Sequence, residues 1–400
     1  RRKLWRRRRF RGLVKKLKMK KIFRPQIFVA VLLSVIVFFI YFRGLSEVQS
    51  KEKDLFFEDF YAQYEAAKDY KVFFRPYPPT ASLIYLPFTK INYRTAATIF
   101  CALNIAVLIL CAFIAGKLSG IKKLYDWNLL VLFCIFFIPF YYSIIYGQIN
   151  IFILLILLCV IKIDVLPALK KGLKNLIIGF LIAFGTVIKI FPVFLLFLFL
   201  IKKRFSVLVA FIGFTIFFIM IYGLIYDWET LIYYIKYVVP VTSKSWVILT
   251  VNNQSLLSLI TRLFGHTLES GNAALIYFPL IIKPLYFFTA ALLLFINFYF
   301  VKKTDDALLQ YSIIILNGIL IFGLNWHHTF AFVFFPLIYL LYYYNSVKTG
   351  GILNYILWTV GFILIVMKID YSQYNIREGL HFLTLTAYLG SIVILSQYYR

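Results

Sequence analysis

Long apolar runs separated by short clusters of basic residues dominate the chain. Most runs are close to the ~20 residues that a helix needs to cross the hydrocarbon core of a bilayer. The pattern therefore predicts an all-α polytopic membrane protein. Ten runs are each assigned one helical segment: 27–42, 95–116, 127–145, 149–163, 205–226, 276–301, 307–324, 329–344, 351–368 and 380–397.

The apolar stretch at 176–201 is different, because its 26 residues are long enough for one tilted crossing. A single crossing would place Lys202, Lys203 and Arg204 on the opposite side from the other basic clusters, against the positive-inside rule. We therefore predict a break within 186–192 and two short helices that enter the membrane and return. This gives twelve helical segments, with both termini in the cytoplasm.

Composition supports the same class of protein. The chain is 62% hydrophobic and 15% charged, with a mean hydropathy of +0.85, whereas soluble domains are about 45–50% apolar. The spans leave no room for a separate soluble catalytic domain. All four cysteines lie inside apolar runs without metal-like spacing, so we interpret them as small buried hydrophobic residues.

The positive charge is concentrated at one end of the chain. Of the 43 Lys and Arg residues, 14 lie within 1–24, where there is no acidic residue. Charge alone is compatible with nucleic-acid binding. The arm directly precedes the apolar run at 27–42, however, which favours a cytoplasmic anchor on anionic headgroups. We expect a basic arm at 1–24, one membrane domain at 25–400 and no nucleic-acid partner.

Two long loops, at 43–94 and 227–274, share the outer face under this topology. Outer loops of this length commonly build an active site at the membrane surface. In the first loop, residues 53–70 have helical composition, and most of their carboxylates share one solvated face. Asp59 lies about 100° away from them, next to Gln63 and small alanines. It is a candidate catalytic carboxylate, with a helix cap or an ion pair to an arginine as the structural alternative.

Other polar groups stand where the membrane makes polarity costly. Lys189 lies at the tip of the predicted hairpin, although a lysine there can also extend to the interface. The proline-rich stretch 75–80 contains aromatic residues that are alternatively interfacial anchors. The further candidates lie in turns or next to them: Arg75, Tyr77, Gln148, Asn150, Asn253, Gln254, Arg262, His327 and His328.

Neither a metal site nor a nucleotide site is indicated. Adjacent histidines such as His327 and His328 point about 100° apart on a helix, and no further ligand has suitable spacing. The chain has no glycine-rich phosphate loop and no nucleophile elbow. We therefore expect no metal and no cofactor, and chemistry on ATP or nucleotide sugars is unsupported.

Six short motifs, taken in order over about 54–335, resemble glycosyltransferase family 87 of the GT-C class, the polyprenyl-phosphate-dependent mannosyl- and arabinofuranosyltransferases of bacterial envelopes. They are Glu58-Asp59-Phe60-Tyr61 with Ala66-Ala67, Tyr77-Pro78-Pro79, Gly147-Gln148-Ile149-Asn150, Ile188-Lys189-Ile190-Phe191-Pro192, Asn253-Gln254-Ser255-Leu256 and Trp326-His327-His328. The basic arm and the compact C-terminal part depart from the family's pattern, which leaves the sugar and the acceptor open.

The resemblance implies a GT-C fold in the bacterial plasma membrane, with the active site on the periplasmic or extracellular face. It implies transfer of a mannose-like hexose or arabinofuranose from a polyprenyl phosphate to an envelope glycan or glycolipid. Asp59 would be the general base of an inverting reaction. Candidates for holding the donor phosphate are Lys189, His327, His328, Arg75 and Arg262.

Two other classes remain open from the sequence. A lipid-linked sugar flippase or a transporter also needs many spans, but typically has internal repeats, which we do not find. A non-catalytic membrane assembly subunit would need neither Asp59 nor Lys189. The sequence does not indicate an oligomeric state.

Overall fold

The computed structural model of the 400-residue chain describes residues 57–69, 77–242, 253, 255–264, 266–268, 275–277 and 280–339. The basic arm at 1–24 and the predicted segments at 27–42, 351–368 and 380–397 lie outside the described residues. Arg75 and Gln254 also lie outside them. The total of twelve segments therefore stays a prediction.

The described chain is mainly helical. The α-helices are α1 (Glu58–Asp69), α2 (Ser82–Tyr85), α3 (Tyr93–Leu118), α4 (Leu124–Phe136), α5 (Ile138–Ile145), α6 (Asn150–Val165), α7 (Lys171–Ile188), α8 (Leu195–Ile201), α9 (Phe205–Ile225), α10 (Trp228–Tyr233), α11 (Val239–Thr242), α12 (Leu256–Phe264), α13 (Ile282–Lys303) and α14 (Ala307–Ile321). Turns of 3₁₀-helix are Pro79–Ala81, Leu86–Lys90, Phe191–Phe194 and His327–Val333, and Tyr234–Val238 is π-helical. The apolar helix that begins at the last 3₁₀ turn continues to Tyr339.

Within the described residues, four helices are long and apolar enough to cross a membrane: α3, α7, α9 and α13. Helices α4 and α5 would form a fifth as one broken span, with their axes bent by 50°. Pro139 in the first turn of α5 explains the break, because proline has no backbone N–H for the preceding turn. These helices fit the predicted all-α membrane protein.

The contacts of α6 define the two ends of the helix bundle. At the upper end, Lys189, which follows α7, donates a hydrogen bond to Asn150 at the start of α6. At the lower end, Arg204, which follows α8, donates to the carboxylate of Asp164 near the end of α6. The chain therefore ascends through α7, reverses after Ile188 and descends through α8. This reversal falls within the predicted break at 186–192. The two arms are not both short, as predicted, because α7 has 18 residues and is long enough to cross a membrane.

Both predicted outer loops reach the upper end. Tyr226, directly after α9, donates a hydrogen bond of 3.4 Å to the backbone oxygen of Ala67 in α1. The start of the second loop thus contacts the first, as a common face requires. The last described helix descends again, because the hydroxyl of Tyr339 donates to Asp306 at the start of α14.

Burial separates central helices from peripheral ones. Every side chain of α14 from Leu309 to Ile321 is buried, as expected for a mostly apolar helix in the centre of a bundle. In contrast, α9 and α13 expose large apolar side chains such as Leu224 and Phe288, which suits a face in contact with lipid. Helix α7 packs closely on α9, since a Cβ added at Gly179 would lie 2.5 Å from the Cβ of Ala210.

A partly buried ionic cluster joins the helices at the lower end. The carboxylate of Asp164 accepts hydrogen bonds from Arg204 and, at 3.0 Å, from the hydroxyl of Tyr311. Arg204 also donates to Asn175 in α7, and Lys202 lies 3.7 Å from Asp164. These contacts connect α6, α7, α14 and the turn between α8 and α9.

Several predicted segment limits are wrong. The stretch predicted at 176–201 already begins as α7 at Lys171. The span predicted at 276–301 begins as α13 only at Ile282, because strand β2 (Leu275–Tyr277) pairs antiparallel with β1 (His266–Leu268). The segment predicted at 307–324 ends as a helix at Ile321. There the side chain of Asn325 turns back and donates a hydrogen bond of 3.0 Å to the backbone oxygen of Phe322, which stabilises the helix end.

Candidate functional site

A tight turn after α5 holds the start of α1 at the upper end. Gly147 has a φ of +64°, which glycine adopts without strain. A Cβ at this position would lie 2.5 Å from the Cβ of Phe60, so the turn also needs the missing side chain. The backbone oxygen of Tyr146 accepts hydrogen bonds from the amides of Asp59 at 3.2 Å and Phe60 at 3.3 Å. The position of Asp59 is therefore fixed by its backbone.

The side chain of Asp59 is oriented by a glutamine from the same turn. Gln148 is 2% exposed, and its Nε2 donates a hydrogen bond to Oδ2 of Asp59. Its Oε1 accepts a hydrogen bond from the hydroxyl of Tyr77. Because the carboxylate accepts hydrogen bonds, the Nε2 end of the amide faces Asp59, which leaves Oε1 for the tyrosine hydroxyl. Asp59 itself remains partly exposed.

Lys189 reaches the same end of the bundle at the chain reversal. It is 8% exposed, its Nζ donates a 2.5 Å hydrogen bond to Oδ1 of Asn150, and it lies 5.2 Å from the ring centre of Tyr77. Burial lowers the pKa of Lys189 to about 7, and the carboxylate of Asp59 opposes this shift. The two groups are thus close enough to interact electrostatically.

Asn150 connects Lys189 to the turn that contains His328. Its Nδ2 donates a hydrogen bond of 3.1 Å to the backbone oxygen of His328. The buried ring of His328 lies edge-on to Tyr146, at 6.5 Å between ring centres, and edge-on to Trp326, at 5.7 Å. His328 therefore belongs to the same group of residues as Asp59 and Lys189.

The remaining candidate residues differ in whether the structure describes their side chains and what those side chains contact. The side chains of His327 and Arg262 lie outside the described part of the structure. Asn253 is described, and it contacts the protein backbone: its Oδ1 accepts 3.1 Å hydrogen bonds from the amides of Ser255 and Asn325. Asn253 therefore braces the turn that leads to His328, and a role in substrate binding stays a prediction.

Two contributors to the site were missed by the sequence analysis. Thr80, whose hydroxyl donates to the backbone oxygen of Val187, ties the proline-rich stretch to the end of α7. Tyr146 supplies both the backbone oxygen that fixes Asp59 and a ring beside His328. The signal for Thr80 was a small polar residue after two prolines, which is too common to be specific. Tyr146 was indistinguishable from an interfacial aromatic residue.

The resulting arrangement is suited to proton transfer beside an anion. A partly exposed carboxylate and a buried lysine interact at the end of an apolar bundle, and neutral amides hold both in place. Such fixed charges act strongly where water is excluded. Among the described residues, no group of three or more His, Cys, Asp and Glu is placed to hold a metal ion.

Fold and site together define a polytopic helical membrane protein with an acid–base site at one end of its bundle. The chain belongs to glycosyltransferase family 87, whose sequence profile matches residues 74–323, more than half of its length. It is therefore a glycosyltransferase. The sequence favours this class over a flippase, a transporter and a non-catalytic subunit. No curated protein and no solved structure matches the chain significantly. Asp59 and His328 lie just outside the matched residues.

Proposed function

We propose that this glycosyltransferase moves a mannose-like hexose or arabinofuranose from a polyprenyl phosphate to a glycan or glycolipid of the bacterial envelope. The observation that carries the proposal is the pairing of Asp59 with Lys189 at the upper end of the bundle, through Gln148, Tyr77 and Asn150. This pairing provides one base and one cation, which is what such a transfer requires.

Asp59 is the general base in the proposed reaction. An acceptor hydroxyl attacks the anomeric carbon of the donor sugar, and its proton passes to the Asp59 carboxylate. The new carbon–oxygen bond forms as the bond to the phosphate oxygen breaks, and the phosphate leaves with the electron pair. Attack from the face opposite the phosphate inverts the configuration. The hydrogen bond from Gln148 fixes the carboxylate for this step.

Lys189 and His328 hold the donor phosphate in this proposal. The negative charge on the phosphate grows as the sugar leaves, so a fixed cation lowers the energy of the transition state. Asn150 orients both residues, since it accepts a hydrogen bond from Lys189 and donates one to the backbone oxygen of His328. His327, Arg75 and Arg262 are further candidates for phosphate contacts, and the reaction needs no metal or other cofactor.

The lipid part of the donor explains the position of the site. A polyprenyl chain remains in the bilayer, so its phosphate is presented at the depth where an apolar bundle ends. The upper end would be the periplasmic or extracellular face of the plasma membrane, with both termini in the cytoplasm. Partners of the protein are then the bilayer, the lipid-linked sugar and the acceptor.

Sugar transfer by the purified full chain tests the proposal. Radiolabelled mannose, glucose and arabinofuranose would be supplied as polyprenyl phosphates, and GDP-mannose and UDP-glucose would serve as comparisons. Alkyl glycosides of mannose, glucose, galactose and arabinose are the acceptor probes. We expect product from at least one polyprenyl phosphate, with and without EDTA. Product from the nucleotide sugars alone would overturn the proposed donor.

A further inference from the structure

Three tyrosines form a continuous aromatic strip beside the site. The rings of Tyr142 and Tyr146 are nearly parallel, with 8° between their planes and 5.7 Å between their centres. Tyr141 meets Tyr142 edge-on at 5.6 Å and is 37% exposed. The parallel rings are offset from one another, as aromatic pairs prefer, and the side chains of both Tyr142 and Tyr146 are partly exposed.

This strip begins at the reacting groups of the proposed function. Tyr146 lies edge-on to His328, and its backbone oxygen holds the amide of Asp59. Burial, the neighbouring Tyr142 and the carboxylates of Asp59 and Glu58 all raise the pKa of the Tyr146 hydroxyl. The ring is therefore close to the carboxylate side of the site. From there the strip follows α5 by one helical turn towards the middle of the bundle.

Charge decides which substrate suits this surface. A donor phosphate is repelled by Asp59 and Glu58 and is attracted by Lys189. A neutral acceptor sugar has no such preference, and its hydroxyl must reach Asp59 to lose a proton. The C–H groups of a sugar ring are apolar and slightly positive, so they fit the negative face of an aromatic ring.

The geometry points to Tyr142 and Tyr146 as the platform for the acceptor sugar, which we propose is the headgroup of a membrane-anchored glycolipid. The inference rests on the proposed function and adds the location and chemistry of its acceptor. The sugar lies against the two rings with one hydroxyl at Asp59, while its lipid extends along α5 past Tyr141 into the bilayer. Tyr142 and Tyr146 act by positioning and take no proton.

The chain contains a matched control pair for this platform. Tyr233 and Tyr237 have the same spacing of four residues, lie 5.0 Å apart between ring centres, and are both exposed. They belong to the helical segment that follows α9, and their described ring contact is with each other. A general role of tyrosines in anchoring the protein at the interface applies equally to both pairs.

The experiment measures steady-state kinetics of the full chain in lipid nanodiscs. Octyl glycosides serve as acceptor probes, with the polyprenyl phosphate sugar that gives product. We expect Tyr146→Leu and Tyr142→Leu to raise the KM for the octyl glycoside about 3- to 10-fold, the worth of one aromatic contact. The KM for the donor should stay within about twofold. Tyr146→Phe, which keeps the ring, should reverse most of the rise in KM for the octyl glycoside that Tyr146→Leu causes. Tyr233→Leu and Tyr237→Leu should resemble the wild type.

Each outcome decides the proposal. An unchanged KM for the acceptor in folded Tyr146→Leu and Tyr142→Leu proteins would overturn it, as would an equal rise in Tyr233→Leu. If Tyr146→Leu fails to fold, the comparison of Tyr142→Leu with Tyr237→Leu gives the same decision. Product formation by the wild type with unchanged acceptor KM values in the variants leaves the proposed function standing and removes only the platform. Absence of product from every polyprenyl phosphate overturns both.

Discussion

Lys189 donates a 2.5 Å hydrogen bond to the side chain of Asn150, which lies 39 residues earlier in the chain. The same asparagine donates to the backbone of His328, 178 residues further on. Asn150 thus connects the chain reversal after α7 with the turn after α14. A neutral amide orients the lysine without forming an ion pair with it, so Asn150 does not compete with a substrate anion for the lysine.

Asp59→Asn is the variant that tests the proposed base. Asparagine keeps the volume and the hydrogen-bonding capacity, but it cannot take a proton at neutral pH. We expect turnover to fall by about 10²–10⁴ while the protein remains folded. The measurement is kcat for sugar transfer, with the thermal unfolding midpoint recorded on the same samples.

Glu58→Gln is the matched control, because it changes the same functional group one residue earlier on the exposed side of α1. It should cost little activity. A purely structural cap at Asp59 would make Asp59→Asn nearly silent as well, since asparagine caps helices about as well as aspartate. Equal damage from both variants would indicate a general disturbance of α1.

Lys189→Met tests the proposed phosphate contact. Methionine fills a similar volume without the charge, so transition-state stabilisation of the leaving phosphate is lost. We expect kcat/KM for the donor to fall by about 10²–10³, in the range found for single groups that stabilise a developing charge. Lys236→Met, at an exposed lysine beyond α10, should leave kcat/KM within a factor of two. Similar losses in both variants would contradict a specific role.

Gly147→Ala should disturb the site without removing any functional group. The added Cβ would lie 2.5 Å from Phe60, and the φ of +64° strains any other residue. We expect α1 to shift away from the turn, with a lower thermal midpoint and a reduced kcat. Gly213→Ala in α9 is the control, because a Cβ added there would stand in open space among the described residues. A fully active Gly147→Ala protein would show that the close approach of α1 is unnecessary.

Asp164→Asn should destabilise the lower end of the bundle. It leaves the guanidinium of Arg204 largely buried with no carboxylate partner among the described residues. Breaking a buried pair on one side typically costs about 3–5 kcal/mol of unfolding free energy. The expected result is a lower thermal midpoint than for Glu65→Gln, a half-buried carboxylate on α1. Equal midpoints would mean that the cluster contributes little stability.

The sequence predicts much of this fold because the bilayer restricts the choices. Apolar length and basic clusters suffice to place α3, α6 and α9, and the position of Lys202, Lys203 and Arg204 predicts the reversal before them. Contacts between residues that are far apart in the sequence cannot be predicted in this way. Gln148 forms a hydrogen bond with Asp59, 89 residues away in the sequence. A glutamine in a turn has no local sequence feature that identifies such a partner.

A local sequence pattern also does not distinguish a residue that binds substrate from one that stabilises the protein backbone. Asn253 has the character of a substrate ligand in the sequence, yet its described hydrogen bonds go to the protein backbone. Strand β2 looks like the start of α13, since its three apolar residues suit either structure. In both cases the deciding partner is remote in the sequence and is found only in the folded chain.

The reversal after Ile188 also determines the direction in which the described helices after it run. If residues 189–192 continued as a straight helix, α9 would start at the upper end, and α13 and α14 would run in the opposite direction. The turn with Trp326 and His328 would then be delivered to the end of the bundle opposite Asp59. A change that straightened this bend would thus separate His328 from Asp59. The bend that supplies Lys189 therefore also brings His328 to the same end of the bundle.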